Sequence, residues 1–326
     1  MKNNKILPGL LSYTYEVDID MKNDWNKILN KRVENMGYKY DKKNFQTIDY
    51  FKAVKRLIPI KPRNILYSKE FTCPGECKNG LSLIENAIKN GDNLTPFMNK
   101  QIRNSKYNDL LLNDWGIYHF HLNIRKDKNG VIKRSAWLLL SYMDDNYAYF
   151  INIYPHNKPN LWAYQKMIGI LYNNWPDSME KFHIKEISSL SKKIDDKAYT
   201  QLRKSGVSTL VEIEKNKVFG LIGGGYASDG SYIEAVRQHD YWHNYLSRIE
   251  FYIKENYYKL KQQMLCFDKR SLDKPLKIQM LTLTNDELII LEKERMVIIK
   301  CNYRNSNISM SRLRDIIYEN SYSRLT

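Results

Sequence analysis

Asn108–Trp162 reads NDLLLNDWGIYHFHLNIRKDKNGVIKRSAWLLLSYMDDNYAYFINIYPHNKPNLW, and its alternation of polar and apolar residues decides the fold class. In its first strand, Trp115, Ile117, His119, His121 and Asn123 fall on one face. Gly116, Tyr118, Phe120, Leu122 and Ile124 fall on the other. A period of two marks a half-buried β-strand. The second face is the oilier, so it is expected to meet the core, with His119 and His121 side by side on an open face. Two more strands are predicted, Ser135 to Tyr142 after Lys-Asp-Lys-Asn-Gly and Tyr147 to Tyr154 after Asp-Asp-Asn. Gly and Asn at those tips suit tight reversals. The third strand runs out at Pro155-His156, and an antiparallel meander returns His156 toward the other two histidines.

Helices flank the meander. Leu81, Leu83, Ile84 and Ile88 give an apolar helical face that stops at Gly91-Asp92. Thr95-Pro96 offers a cap and a first-turn proline for a second helix, with Phe97, Ile102 and Leu110 to Leu112 inward. Leu161 to Tyr172 reads as a helix closed before Trp175-Pro176. The predicted order is helix, helix, strand, strand, strand, helix.

That order carries a resemblance, on three pieces: Gly116-Ile-Tyr-His-Phe-His-Leu122, Arg134-Ser-Ala-Trp-Leu-Leu-Leu140 and Tyr149-Phe-Ile-Asn-Ile-Tyr-Pro-His-Asn-Lys158. Residues 80–162 resemble the RelE/HigB-like ribonuclease toxins of bacterial toxin–antitoxin systems, and the whole chain resembles larger phage-resistance (abortive infection) proteins. The resemblance implies a helix-helix-antiparallel sheet core, RNA (mRNA or tRNA) as substrate, and an antitoxin or phage-encoded trigger as partner. The chain is much longer than those toxins and has histidines where they often carry Arg or Lys. The expected class is α+β in three parts. These are a basic helical region 1–75, a RelE-like core 76–176, and an α+β region 177–326 with a long helix 231–263 and a small second sheet.

Charge points the same way. Across 326 residues, 52 Lys+Arg face 36 Asp+Glu, a formal +16. Such a balance attracts polyanions, nucleic acid before anionic membrane. The 25 tyrosines offer faces for base stacking, and they also reflect a Lys/Asn/Ile/Tyr-rich vocabulary. Cys73 and Cys77 are separated by three residues, which suits neither a zinc ribbon nor a common redox pair. No run approaches the ~20 apolar residues of a membrane span, and no signal peptide opens the chain. The expected setting is therefore cytoplasmic, with reduced thiols and no membrane partner.

Other stretches carry weaker signals. Asn23-Asp24 is read as the cap of a helix through Asn30 to Val33, and Thr47 to Leu57 as a second helix. Arg56 to Arg63 reads as a kinked basic connector, a linker or a strand edge, with charges that suit a solvated loop better than a docking site. Gly223-Gly-Gly225 lacks the Gly-Lys-Ser/Thr of a phosphate loop, so a tight turn is favoured over a phosphate cradle. Ser231 with Glu234 reads as a capping box. His239 and His243 share a helix face, but Asp240 stands where a zinc protease has Glu, so packing or surface roles are favoured. Leu276 to Leu283, Leu288 to Leu291 and Met296 to Ile299 read as the second sheet, closed by a helix around Ile308 to Tyr318.

The central stretch suits RNA transesterification, which needs a base, an acid and positive charge on the phosphorane. Histidine titrates near ~6.5 and serves both proton roles. Arginine presents a fork of donors to phosphate oxygens. His119 and His121 are placed on the floor, His156 at the rim, and Arg134 as the clamp. Tyr154, Lys158 and Trp162 hold substrate, Trp162 by stacking on a base. The sequence leaves open which histidine is acid and which is base. No cofactor motif is complete and this reading uses no metal. Two alternatives stand beside it: a divalent metal held by the three histidines with a nearby carboxylate such as Asp114, and a non-catalytic nucleic-acid-binding module that uses the long helix and basic surface. Oligomeric state is left open, with the long helix and extra sheet as the parts that suit a homodimer.

Overall fold

The computed structural model describes residues 17–37, 41–128, 130–267, 275–302 and 307–312. The chain is α+β and divides into two compact units, Arg32–His239 on one hand and Met1–Lys31 with Asp240–Thr326 on the other. The expected boundaries near 75 and 176 both fall inside the first unit. The reason is physical: the central sheet recruits a strand from before residue 76 and a cover from beyond residue 176.

In chain order, β1 (Val17–Ile19) and α1 (Met21–Asn35) come first, followed by α2 (Thr47–Lys55), β2 (Asn64–Tyr67) and α3 (Lys78–Asn90). Then come α4 (Leu110–Trp115), β3 (Ile117–His121), β4 (Trp137–Met143) and β5 (Tyr147–Pro155). The predicted meander is present, and its sheet runs β2-β5-β4-β3. β2, which the sequence reading missed, lies parallel to β5, and the other pairs are antiparallel. The second predicted helix is instead two 3-10 turns, Thr95–Phe97 and Lys100–Arg103, and the short α4. The helix expected from Leu161 splits into a 3-10 turn, Leu161–Ala163, and α5 (Lys166–Asn174).

Both faces of this sheet are covered. On one, Phe120, Leu122, Leu139, Phe150 and Ile153 pack with Leu81, Ile84 and Ile88 of α3. On the other, Ile117, Leu138, Leu140, Tyr149 and Ile151 pack with Ile168, Leu171, Tyr199 and Phe219. Tyr199 comes from α7 (Asp196–Lys204), which follows α6 (Pro176–Met179), and Phe219 from the hairpin β6 (Val211–Glu214) and β7 (Lys217–Phe219). The open face expected for His119 and His121 is therefore closed. Leu138-Leu139-Leu140 carried the signal, because an unbroken apolar run in a strand means burial on both sides.

Two basic residues read as solvated are buried clamps. Arg56 donates to the carbonyls of Tyr107 and, at 2.9 Å, Asn104. Arg63 donates to the carbonyls of Asp144 at 2.8 Å and Pro59 at 3.0 Å. The glycine run is a turn: Gly223 and Gly225 donate to the carbonyls of Asp114 and Asn113, both at 2.8 Å. Those N–H groups are therefore engaged, and the phosphate-cradle reading is set aside. Ser231 donates its hydroxyl to Asp229 at 2.7 Å instead of completing the expected capping box, and α8 (Ile233–Glu255) begins just beyond.

In the other unit, the long helix breaks at Asn256 between α8 and α9 (Tyr257–Phe267). The second sheet adds β8 (Leu276–Leu283), β9 (Glu287–Glu292), β10 (Val297–Asn302) and β11 (Asn307–Arg312), in the order β1-β8-β9-β10-β11. Where a closing helix was expected, residues 307–312 are a strand, and residues 313–318 lie outside the described residues. The Asp24 carboxylate accepts the Met280 N–H at 2.9 Å, tying α1 to β8.

A Cβ at Gly223 would stand 2.3 Å from the Leu112 carbonyl oxygen, with backbone atoms of Asn113 and Gly116 at 2.6 Å. Gly223→Ala is therefore expected to lower stability by about 2 kcal/mol or more, the order of an overpacked site. A Cβ at Gly75 meets nothing within 4 Å, and Gly75→Ala is expected to change stability by no more than about 0.5 kcal/mol. Urea unfolding of the two variants checks the contrast.

Candidate functional site

His119 and His121 project from β3, an edge strand of the central sheet, opposite Leu140 and Leu138 of β4. They are 4% and 6% exposed, so they sit under side chains and not on an open floor. They are nevertheless gathered with the other expected groups. The imidazole of His121 stacks on that of His156 with centroids 6.3 Å apart and planes within 9°. The indole of Trp162 meets His119 edge-on at 5.0 Å and His156 at 5.8 Å. Arg134 is exposed and its guanidinium donates to His156 Nε2 at 2.7 Å. Three imidazoles, a guanidinium and an indole thus share one corner of the sheet.

The three histidines differ in surroundings. His121 Nδ1 accepts the Ser135 N–H at 3.3 Å, which assigns the ring proton to Nε2 in the neutral form. Burial, then the nearby charges of His119, His156 and Arg134, push its pKa down to about 4. A neutral, bonded ring of this kind props the corner and carries no acidic imidazolium proton to give at neutral pH. His156 is also lowered, first by burial and then by the Arg134 charge. His119 has a carboxylate behind it: Asp109 Oδ2 lies 3.6 Å from its Nδ1. The same carboxylate caps α4, accepting the Leu112 N–H at 3.1 Å. Asp109 was missed in the sequence reading. Its signal was there, since an Asp directly before Leu-Leu-Leu is a good helix cap.

Tyr154 and Lys158 belong to a neighbouring cluster. Lys158 Nζ lies 4.1 Å from the ring centroid of Tyr164 and 5.8 Å from that of Tyr154, and the two tyrosines meet edge-on at 5.6 Å. These ring contacts join them to Tyr164 and not to the histidines.

Asp114, the carboxylate offered for a metal, is engaged elsewhere. Its Oδ2 accepts from Arg203 Nε at 3.1 Å and Nη2 at 2.5 Å, and from the Tyr199 hydroxyl at 3.0 Å. Burial pushes the Asp114 carboxyl up, and the Arg203 charge pulls it back. Among the described residues no group of three His, Cys, Asp or Glu is placed to hold a metal ion. The metal reading that used Asp114 is therefore set aside on geometry. Arg203 also lines a cavity of about 280 Å³, with Trp162, His119, Asp109, Tyr107 and Asn108 among its other walls.

Comparison with known proteins gives no guide here: no family model, curated protein or solved structure matches the chain. Among the described residues, no helix is long and apolar enough to cross a membrane.

Two predictions follow from these environments. The folded-state pKa of His121 lies below its unfolded value, so the folded state binds fewer protons between pH 4 and 6.5. Its contribution is complete above about pH 6.5 and is lost as pH falls toward 4. Urea midpoints are expected to fall over that window, with His121→Gln flattening the slope. Separately, Arg203→Leu strands a buried carboxylate and is expected to destabilise by about 3–5 kcal/mol. Replacing both Arg203 and Asp114 by apolar residues should recover much of that loss in the same unfolding assay.

Proposed function

We propose that this protein is an endoribonuclease that cuts RNA without a metal ion, acting as a toxin or phage-defence effector. The observation that carries the reading is the corner where His119, His156, Arg134 and Trp162 converge with Asp109 behind His119. The strand-helix-helix-strand-strand-strand order of residues 64–155, with its second helix reduced to α4, is the part of the fold that supports a RelE-like core. The formal charge of +16 supports a polyanionic substrate.

The roles follow from local chemistry. Arg134 is bonded to His156 Nε2, which hides that lone pair. A phosphodiester is a stronger acceptor for a guanidinium than an imidazole is, because the bond is charge-assisted on both sides. Substrate would draw Arg134 onto the phosphate and free His156 to take the 2′-hydroxyl proton. The lowered pKa of His156 keeps it deprotonated for that task. His119, with the Asp109 carboxylate 3.6 Å from its Nδ1, gives a proton to the departing 5′-oxygen. The 2′-oxygen bonds to phosphorus, the bond to the 5′-oxygen breaks, and Arg134 neutralises the phosphorane. His121 is reassigned from catalyst to support.

The test is RNA cleavage by purified protein in EDTA. His119→Ala and His156→Ala are each expected to slow it by about 10²-fold or more, the usual worth of one proton transfer. RNA binding that weakens steeply with salt, with no cleavage, would mark a binding module instead. The acid limb of kcat/KM is expected below pH 6.5, because burial first and the Arg134 charge second hold the base's pKa down. Arg134→Gln removes a positive neighbour, so that limb should move upward as well as the rate falling. A limb that stays in place contradicts the assignment of His156 as base.

A further inference from the structure

The cavity beside His119 has a chemistry of its own. Its volume of about 280 Å³ lies at the low edge of the roughly 300–1,000 Å³ of pockets that take drug-sized ligands. An occupant must therefore be small. Leu111 and Ala163 give it apolar wall, and Trp162 and Tyr107 give it aromatic wall. Two cations border it, and the Asp109 carboxylate on the same lining offsets part of their charge. Arg203 gives Nε and Nη2 to Asp114, at 3.1 and 2.5 Å, and its Nη1 is buried without a hydrogen-bond partner. Lys204 is exposed.

Polar capacity remains on the lining. His119 Nδ1, Asn108 Oδ1 and Arg203 Nη1 are buried and have no hydrogen-bond partner, the Asp109 carboxylate standing 3.6 Å from His119 Nδ1. The orientation of Asn108 is fixed by its Nδ2, which donates to the Asp229 carbonyl at 3.3 Å. Flat apolar and aromatic walls with a few unsatisfied polar atoms at one side suit a heterocycle: its faces stack and its edge hydrogen-bonds. Trp162 then links two places. It lines this cavity, and its ring also meets His156, which holds Arg134.

We propose that the cavity bounded by Trp162, Tyr107, His119 and Asn108 receives one unpaired nucleobase of the substrate strand. This rests on the ribonuclease reading above. A base seated against Trp162 leaves its ribose and phosphate at the histidine–arginine corner, so the cavity registers the strand for cleavage and restricts it to unpaired RNA.

The experiment is an NMR titration of the full chain at pH 7.5 with AMP, CMP, GMP and UMP, with ribose 5-phosphate and inorganic phosphate as baseless controls. At least one nucleotide is expected to bind tenfold or more tightly than ribose 5-phosphate. Trp162→Ala removes a stacking wall from a partly exposed position, and Thr200→Trp fills the cavity. Each is expected to weaken that nucleotide by roughly tenfold or more, the order of one lost stacking contact. Ribose 5-phosphate binding as tightly as every nucleotide overturns the proposal. So does nucleotide binding that both variants leave intact while their circular dichroism matches the parent. The two readings separate in a parallel cleavage assay. Nucleotide binding without RNA cleavage keeps the cavity and removes the nuclease. Cleavage without base-dependent binding keeps the nuclease and removes the cavity.

Discussion

A sheet buried on both faces leaves polar side chains only its edges and ends, and this constraint shapes the rest of the protein. β3 is one of the two edge strands, and its two histidines lie on the face that Ile168, Leu171 and Tyr199 cover further in. At that corner the cover thins to Trp162, which is 37% exposed, and to the exposed guanidinium of Arg134. Imidazoles elsewhere on the sheet would be sealed in the core. The same geometry explains why three histidines in one place behave differently. His121 lies against Ser135 and is held neutral, whereas His156 reaches Arg134 and His119 reaches Asp109 and the cavity.

The corner is held from below by a second device. Asp114, at the end of α4, is fixed by Arg203 and Tyr199 of α7, and Tyr199 also accepts the Trp115 indole N–H at 3.1 Å. Gly223 and Gly225 close on the carbonyls of the same helix end. α4 is only six residues long, far too short to be stable alone. Its position comes from this ion pair, these backbone bonds and the Asp109 cap. Because Asp109 both starts α4 and lies behind His119, fixing the helix also fixes where that carboxylate stands. A buried ion pair is weak evidence for net stability, but it gives a short helix one position and not several.

Much of the sheet was legible in the sequence. The three strands of the meander, the stop at Gly91 and the strands from Leu276 to Ile299 all follow from period and punctuation. The gathering of His119, His121, His156, Arg134 and Trp162 was legible too, because meander topology alone returns β5 toward β3. What failed were inferences about the far side of things. A strand's period does not say whether something distant covers its polar face, and the cover here comes from residues beyond 176. β2 is four residues long and follows a proline-rich connector, so it carried no period to read. Arg56 and Arg63 looked solvated because nothing local reveals that a guanidinium will meet backbone carbonyls far along the chain. Tyr154 and Lys158 are near the histidines in sequence, yet their side chains pair with Tyr164.

The central claim is that histidine side chains move the protons of an RNA cleavage in which the 2′-hydroxyl is the nucleophile. The chemistry of the new ends tests it most directly, read by mass spectrometry after cleavage in EDTA, with a second substrate lacking the 2′-hydroxyl at the cut site. The expected result is 2′,3′-cyclic phosphate and 5′-hydroxyl ends from the first substrate and no cut in the second. Ends bearing 5′-phosphate and 3′-hydroxyl, or equal cutting of the deoxy substrate, would contradict it.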